Sequence, residues 1–322
     1  MFKKILVPLD RSALAEQAIG EAALLARGSN ATIDLVLVHT PFPFAGGPEA
    51  PWNDAEWAAE HTYLEAVEHD LRSGSSVPVT HAIMRGNPIE RICDRASDAD
   101  LIVMTSHGRT GLSRVWLGSV ADAIVRRTSI PVLILRAKTS GHARAELRRG
   151  FRHILVPIDG SALAGEALGP AIDVAKASGA DLLLFRAVYP IPLIAAYDAM
   201  SALAYQSLAV DQDATAESVA AARAELEKLA VRLRDMHHID VAIEAVADPR
   251  SADAITQYAR AHEIDCIAMS THGRGGSRLF LGSVADKVLR GSGVAVLLRR
   301  PVGVVENYLV TEELTKLPSL VG

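Results

Sequence analysis

Cysteine is scarce: the 322 residues include only Cys93 and Cys266, far apart in the chain. Neither has a second cysteine at metal-ligand spacing, so two reduced, buried thiols are expected, with no disulfide. Long apolar runs are missing as well. No stretch approaches the roughly 20 residues that a membrane helix needs. Met1-Phe2-Lys3-Lys4 passes straight into Ile5-Leu6-Val7-Pro8 with no h-region or small-residue cleavage site. Neither a secretory signal nor a membrane partner is expected, and the cytoplasm is the expected compartment. A basic excess is also lacking, since 33 Lys and Arg face 38 Asp and Glu for a net charge of −5. That balance argues against a nucleic-acid partner. Finally, there is no G-x-x-x-x-G-K-[ST], and no G-x-G-x-x-G follows the first apolar run. P-loop NTPases and dinucleotide dehydrogenases are disfavoured accordingly. His61, His69, His237 and His238 lack the spacing of a metal motif, so no metal site is read from them.

What is present is a repeat. Ile5 to Ala18 (ILVPLDRSALAEQA) and Ile154 to Ala167 (ILVPIDGSALAGEA) share ten of fourteen positions at an offset of 149. Ser106-His107-Gly108-Arg109 recurs as Thr271-His272-Gly273-Arg274. Leu117 to Asp122 (LGSVAD) recurs unchanged as Leu281 to Asp286. A period this long signals a duplicated domain and not a solenoid. The expected organisation is a first domain over 1–137, a basic, polar linker over 138–150, a second domain over 151–300 and a tail over 301–322. At 49% hydrophobic and 22% charged, the chain holds enough apolar material for two ordinary cores.

Within each copy, short β-rich runs alternate with longer helical patterns. The first copy predicts strands at Ile5–Leu9, Ile33–Val38, Val79–Met84, Leu101–Met104 and Val132–Leu135. Helices are expected over 12–27, 54–72, 89–96 and 120–127. The second copy predicts strands at Ile154–Ile158, Leu182–Ala187, Val241–Val246, Cys266–Met269 and Ala295–Leu298, with a long amphipathic helix over 213–235. The fold class is α/β: two repeated five-stranded parallel sheets with helices on both faces, Rossmann-like or flavodoxin-like. Ligands of such sheets settle at the carboxyl ends of the strands, near a switch in strand order.

Two segments of each copy fall there. After the first strand come Pro8-Leu9-Asp10 with Ser12, and Pro157-Ile158-Asp159 with Ser161. Ser12 and Ser161 read as helix caps. Asp10 and Asp159 either accept hydrogen bonds from a ribose hydroxyl or base amine, or cap the next helix. After the fourth strand, Met104-Thr105-Ser106-His107-Gly108-Arg109-Thr110-Gly111 leads on to Gly118-Ser119-Val120. Gly108 allows close backbone approach to an anion, and a helix opening at Gly118-Ser119 presents unpaired amides to it. Arg109 or Arg114 adds positive charge. Ser119-Val120-Ala121-Asp122 and Ser283 to Asp286 also fit a capping box. His107 and His272 read as loop-ordering residues, having no nucleophile or metal partner nearby in sequence. No residue stands out as a general base, so no catalytic residue is assigned.

The VPLD/VPID strand ends, the S-H-G-R-x-G loop and the L-G-S-V-A-D segment together resemble the universal stress protein family in a tandem form. The resemblance covers roughly 1–137 and 151–300. It implies a nucleotide-binding fold, stress-responsive signalling and ATP as ligand, with or without Mg2+. Through the family pattern G-2x-G-9x-G-(S/T), adenine and ribose would meet Pro8, Leu9, Asp10 and Val38. The phosphates would meet Thr105 to Gly111 (Ser106, His107, Gly108, Arg109 and Thr110 between them) and Gly118, Ser119 and Val120. The second copy would use Pro157, Ile158, Asp159 and Ala187. Its phosphate residues would be Ser270, Thr271, His272, Gly273, Arg274, Gly275, Gly276, Gly282, Ser283 and Val284.

Three departures from the pattern are visible. Thr105 and Ser270 replace its first glycine. Only eight residues separate Gly273 from Gly282. Gly86-Asn87-Pro88 becomes Ala247-Asp248-Pro249, adding a carboxylate, so the first copy is expected to be the more competent site. The resemblance also implies that the last strands pair within the chain as an intramolecular pseudo-dimer, with a homodimer as a further step and an unknown protein partner downstream. The alternatives are an interaction scaffold with degenerate sites and a slow ATPase.

Overall fold

A computed structural model describes residues 1–40, 54–106, 117–136, 150–192, 210–271 and 281–301. The first half runs β1 (Lys4–Leu9), α1 (Ala13–Ser29), β2 (Thr32–His39), α2 (Asp54–Gly74), β3 (Val79–Arg85), α3 (Pro88–Ala96), β4 (Leu101–Thr105), α4 (Ser119–Arg127) and β5 (Val132–Leu135). The second half runs β6 (His153–Pro157), α5 (Ala162–Gly165), α6 (Leu168–Ser178), β7 (Asp181–Val188), α7 (Gln212–His237), β8 (Val241–Ala247), α8 (Ser251–Ala261), β9 (Cys266–Ser270), α9 (Ser283–Gly291) and β10 (Ala295–Arg299).

All of the strands join one ten-stranded sheet in the order β3-β2-β1-β4-β5-β10-β9-β6-β7-β8. Within each half every pairing is parallel. At the centre, β5 and β10 pair antiparallel, with Leu133 opposite Leu297, Ile134 opposite Val296 and Val132 opposite Leu298. Those strands are four-fifths aliphatic or more and would be adhesive if exposed; pairing with one another removes that edge. The outer edges are instead β3 and β8, which carry Thr80, His81, Arg85 and Glu244 and are only partly buried. The inner strands are buried on both faces, which is why their sequences read as unbroken apolar runs.

Two cores result. Odd-numbered residues of the first two strands, such as Ile5, Val7, Leu35 and Leu37, pack beneath α1 and α2, continuous with Ile172 and Val174 of α6 and Leu229 of α7. Even-numbered ones, Leu6 and Val36 among them, face Ile92 of α3 and Ile124 of α4, continuous with Ile255 and Val288 of α8 and α9. Each layer therefore crosses the seam. Polar caps reinforce it: Arg136 donates to the Leu289 carbonyl near the end of α9, and Arg300 donates to Arg127 O at the end of α4, 3.1 Å. A cation at a helix carboxyl end is favourably placed.

Local chemistry fixes the helix boundaries. Ser12 caps α1 by accepting from Ala15 N (3.1 Å), and Ser161 caps α5 from Ala164 N (3.2 Å). The first helix of the second half breaks into α5 and α6 at Glu166–Ala167, because Pro170, which stands where α1 has Glu21, has no N–H to donate to Glu166 O one turn earlier. His238 is the left-handed C-cap of α7 (φ 55°), its amide bonded to Arg234 O, which accounts for one histidine in structural terms. Both cysteines are free; Cys266 is buried in β9, whereas Cys93 on α3 is only half-buried.

Candidate functional site

The chain leaves β1 toward β2 and β3 on one side, then returns to β4 and β5 on the other. The carboxyl ends of β1 and β4 therefore flank the crevice where the strand order switches. Their register, Ile5 opposite Leu101 and Leu6 opposite Ile102, brings Asp10 level with Ser106 when counted onward. In the second half, Ile154 opposite Cys266 likewise brings Asp159 level with Thr271. The same counting from Pro8 opposite Val36 sets Val38 beside Asp10. Val38, Leu117 and Val120 all pack on the core beneath α3 and α4, so Pro8, Asp10 and Val38 lie on the face that α4 covers. Ala187, Leu281 and Val284 pack likewise beneath α8 and α9.

The fourth-strand loops are closed at their necks. Gly118 N donates to Ser106 O at 2.7 Å, and Ser106 N donates to Leu135 O at 2.9 Å. The second half repeats both bonds, Gly282 N to Thr271 O and Thr271 N to Arg299 O, each 2.8 Å. The end of β4 and the start of α4 are thus held as backbone neighbours. His107, Gly108, Arg109, Thr110, Gly111 and Arg114, with His272, Gly273, Arg274, Gly275 and Gly276, lie outside the described residues.

The capping-box expectation is corrected. Gly118 is the N-cap of α4 (φ −58°, ψ 146°) with no side-chain cap, and Gly282 does the same for α9. The neck bond starts the helix one residue early, placing Ser119 and Ser283 inside it. Asp122 turns away to Arg126, Oδ2 to Nε 2.8 Å, and Asp286 turns to Arg290 at 3.0 Å. Hydrogen bonding to Asp122 raises the Arg126 pKa, with a smaller contribution from Asp286; Arg290 is raised first by its bond to Asp286. Among the described residues, then, no side chain caps the leading amides of either helix.

Asp10 and Asp159 close matching turns. Asp10 Oδ1 accepts from Ser12 N (3.0 Å) and Ser12 Oγ (2.6 Å); Asp159 Oδ1 accepts from Ser161 N (2.8 Å) and Oγ (2.6 Å). The residue between them has positive φ, 65° at Arg11 and 85° at Gly160. A glycine suits that conformation and an arginine does not. The D-R-S against D-G-S difference is the sequence signal of this strained position. Thr105 and Ser270, where the pattern has glycine, are buried strand ends without positive φ, so their side chains cost no backbone strain.

The Gly86-Asn87-Pro88 comparison also shifts. Gly86 N bonds His39 O and Asp248 N bonds Val188 O, so Asp248 matches Gly86 and not Asn87. Asn87 caps α3 by accepting from Ile89 N at 2.9 Å, while Asp248 Oδ1 is engaged by Arg250 N at 2.7 Å, and α8 starts only at Ser251.

The sequence profile of the universal stress protein family matches residues 1–136 and again 150–300. The chain belongs to that family. A universal stress protein of Mycobacterium tuberculosis is 24% identical over 322 residues, covering 92% of this chain and 94% of its own. One of Methanocaldococcus jannaschii is 30% identical over 141 residues, 42% of this chain and 83% of its own. Among solved structures, a universal stress protein from Archaeoglobus fulgidus superposes with a TM-score of 0.62 at 20% identity, covering 92% of this chain and 96% of the other. That likeness extends the tandem fold to nearly the full length. Within it, no helix among the described residues is long and apolar enough to cross a membrane.

Proposed function

We propose that this universal stress protein binds ATP in the crevice of its first half and that occupancy alters conformation or partner choice. The observation that carries the reading is the neck bond from Gly118 N to Ser106 O. It sets an uncapped helix start beside the end of β4, on the face that also holds Asp10 and Val38. Leading amides that no side chain caps among the described residues suit a phosphate group. The apolar surface of Val38 and Pro8 suits a flat base, and the Asp10 turn lies where a ribose would pass.

The route from site to conformation is α4 itself. Its start faces the proposed anion, while its end is held by Arg300 of the other half. A phosphate drawing on the first turn acts on a helix that spans site and seam. The second half carries the same neck and the same uncapped start, so it is proposed as a second site. The scaffold alternative draws on its fourth-strand loop, one residue shorter than the pattern.

The test is calorimetric titration of nucleotide-stripped protein with ATP, with and without Mg2+. Saturable binding is expected. No heat up to millimolar ATP, together with no nucleotide released on denaturing the freshly purified protein, would leave the scaffold reading in its place.

A further inference from the structure

A second cluster lies across the sheet from the nucleotide crevice. His39 ends β2 on the face beneath α2, opposite to Val38. Its Nδ1 is 2.9 Å from Glu60 Oε2, and both side chains are over nine-tenths buried. Glu56 stands one turn before Glu60 on α2 and is half-exposed. One ligand atom from each of His39, Glu56 and Glu60 lies within 4.8 Å of the other two. The Trp57 ring meets the imidazole edge-on, 6.3 Å between centroids, and shields that side. The resident cation is Arg11, with Nη2 3.4 Å from Glu56 Oε1 and 3.8 Å from Glu60 Oε1.

The fold does not require this cluster. The strand pairings Lys4 with Thr32 and His153 with Asp181 match His39 to Val188. The bonds from Arg72 to Val79 O and from Arg234 to Val241 O match Glu60 to Ala222 and Glu56 to Ser218. Arg11 matches Gly160. The second half therefore builds the same strand-helix contact from valine and alanine, without the desolvation cost of a buried histidine–carboxylate pair. The first half bears that cost, places two carboxylates one turn apart where they repel, and holds Arg11 at positive φ beside them.

We propose that His39, Glu56 and Glu60 form a binding site for a divalent transition-metal ion of the zinc class. One imidazole nitrogen and two carboxylates give three protein ligands, a donor set suited to zinc, with water completing the shell. The pair at one-turn spacing on α2 and the single ligand from β2 would clamp the start of that helix to the sheet. Arg11 is the competitor. In the absence of metal it neutralises the carboxylates, and an entering ion displaces it. The site is independent of the nucleotide reading, since it lies on the other face of the sheet and uses none of the crevice residues.

The experiment uses the full chain, stripped of nucleotide and treated with chelator. Zinc is titrated by calorimetry, and cobalt serves as the absorbing probe. The expected result is one ion per chain with cobalt bands of nitrogen and oxygen ligation. Binding should weaken about tenfold or more in His39→Ala and Glu60→Gln. Arg11→Gly, which restores the residue found in the second half and relieves the positive φ, should fold at least as well and bind zinc about tenfold more tightly. Absence of saturable binding in both the unaltered chain and Arg11→Gly would overturn the proposal. So would zinc affinity unchanged in His39→Ala and Glu60→Gln with circular dichroism intact, because the ion would then sit elsewhere.

Discussion

Gly28 of α1 lies directly against Ala177 of α6, and a β-carbon on Gly28 would fall 1.9 Å from the Ala177 carbonyl oxygen. The two residues are repeat counterparts, 149 apart. Leu133 and Leu297 are likewise counterparts, being matched through the parallel partners Val103 and Ala268 of β4 and β9, and they pair at the centre of the sheet. A residue touching its own counterpart marks a two-fold relation between halves, as at an isologous dimer interface. Here the two partners are one chain.

That contact gives a prediction with an internal control. Gly28→Ala should destabilise the protein by about 1–3 kcal/mol, because the helices must separate to admit the methyl group. Gly20, two turns earlier on the same helix, has nothing within 4 Å of its would-be β-carbon. Gly20→Ala should therefore stabilise by up to about 1 kcal/mol through helix propensity alone. Urea unfolding of the two variants should shift the midpoint in opposite directions. Equal shifts would sink the close-packed seam.

Gly118→Asp separates fold from function at the proposed phosphate site. Aspartate is a better N-cap than glycine, so α4 should form at least as firmly. Its carboxylate would occupy the leading amides and repel a phosphate, and ATP affinity of the first half should fall about tenfold or more. Gly282→Asp should remove only the second half's binding. Asp10→Ala should weaken binding less, since one Asp10 oxygen already serves the Ser12 turn. Calorimetry on the three variants checks the order. Unchanged affinity in Gly118→Asp would falsify the geometry.

Strand positions were legible because each inner strand is buried on both faces, and an unbroken apolar run is what that burial requires. β5 matches its expected span, and β2 extends one residue at each end. The long helix α7 exceeds its reading by one residue at the start and two at the end. The repeat made the crevice residues legible, since residues at the ends of β1 and β4 recur together. What escaped were features set by contacts across the chain. The helix start at Gly118 depends on a bond to Ser106, which no local pattern displays. His39 and Glu60 meet across 21 residues, and only the fold reveals them as neighbours. The match of Asp248 to Gly86 appears only in the strand-end hydrogen bonds, because a shared proline had suggested another alignment.

Burial pushes the Cys266 thiol well above the ordinary thiol range, with the nearby carboxylates adding to the rise. A pKa raised on folding contributes stability that is complete below the unfolded thiol value, near 8.5, and is lost as pH rises through the folded one. Stability should consequently decline above that pH, and Cys266→Ala should show a shallower alkaline decline than the unaltered chain. Urea midpoints from pH 7 to 10 on both proteins measure it. Thiol reagents should label the half-buried Cys93 first and reach Cys266 only at the rate of unfolding; prompt labelling of both would contradict the burial.

Asp34 is the most enclosed carboxylate on the sheet, with a side chain fully out of solvent. It accepts from Arg95 Nε (2.7 Å) and Nη2 (3.0 Å), from Thr80 Oγ1 (3.0 Å), and pairs with Lys4 Nζ at 3.2 Å. Hydrogen bonding to Asp34 is the leading cause of the raised Arg95 pKa. The second half places Leu183 at the matching position, so the fold is built equally well without the charge. Arg95→Leu alone should cost about 3–5 kcal/mol, because it strips the main partner from a buried carboxylate. Asp34→Leu combined with Arg95→Leu should recover most of that loss, imitating the other half. A double-mutant cycle by urea unfolding gives the coupling directly. Additive losses from the two changes would mean that Lys4 and Thr80 hold Asp34 by themselves, and that the guanidinium contributes packing alone.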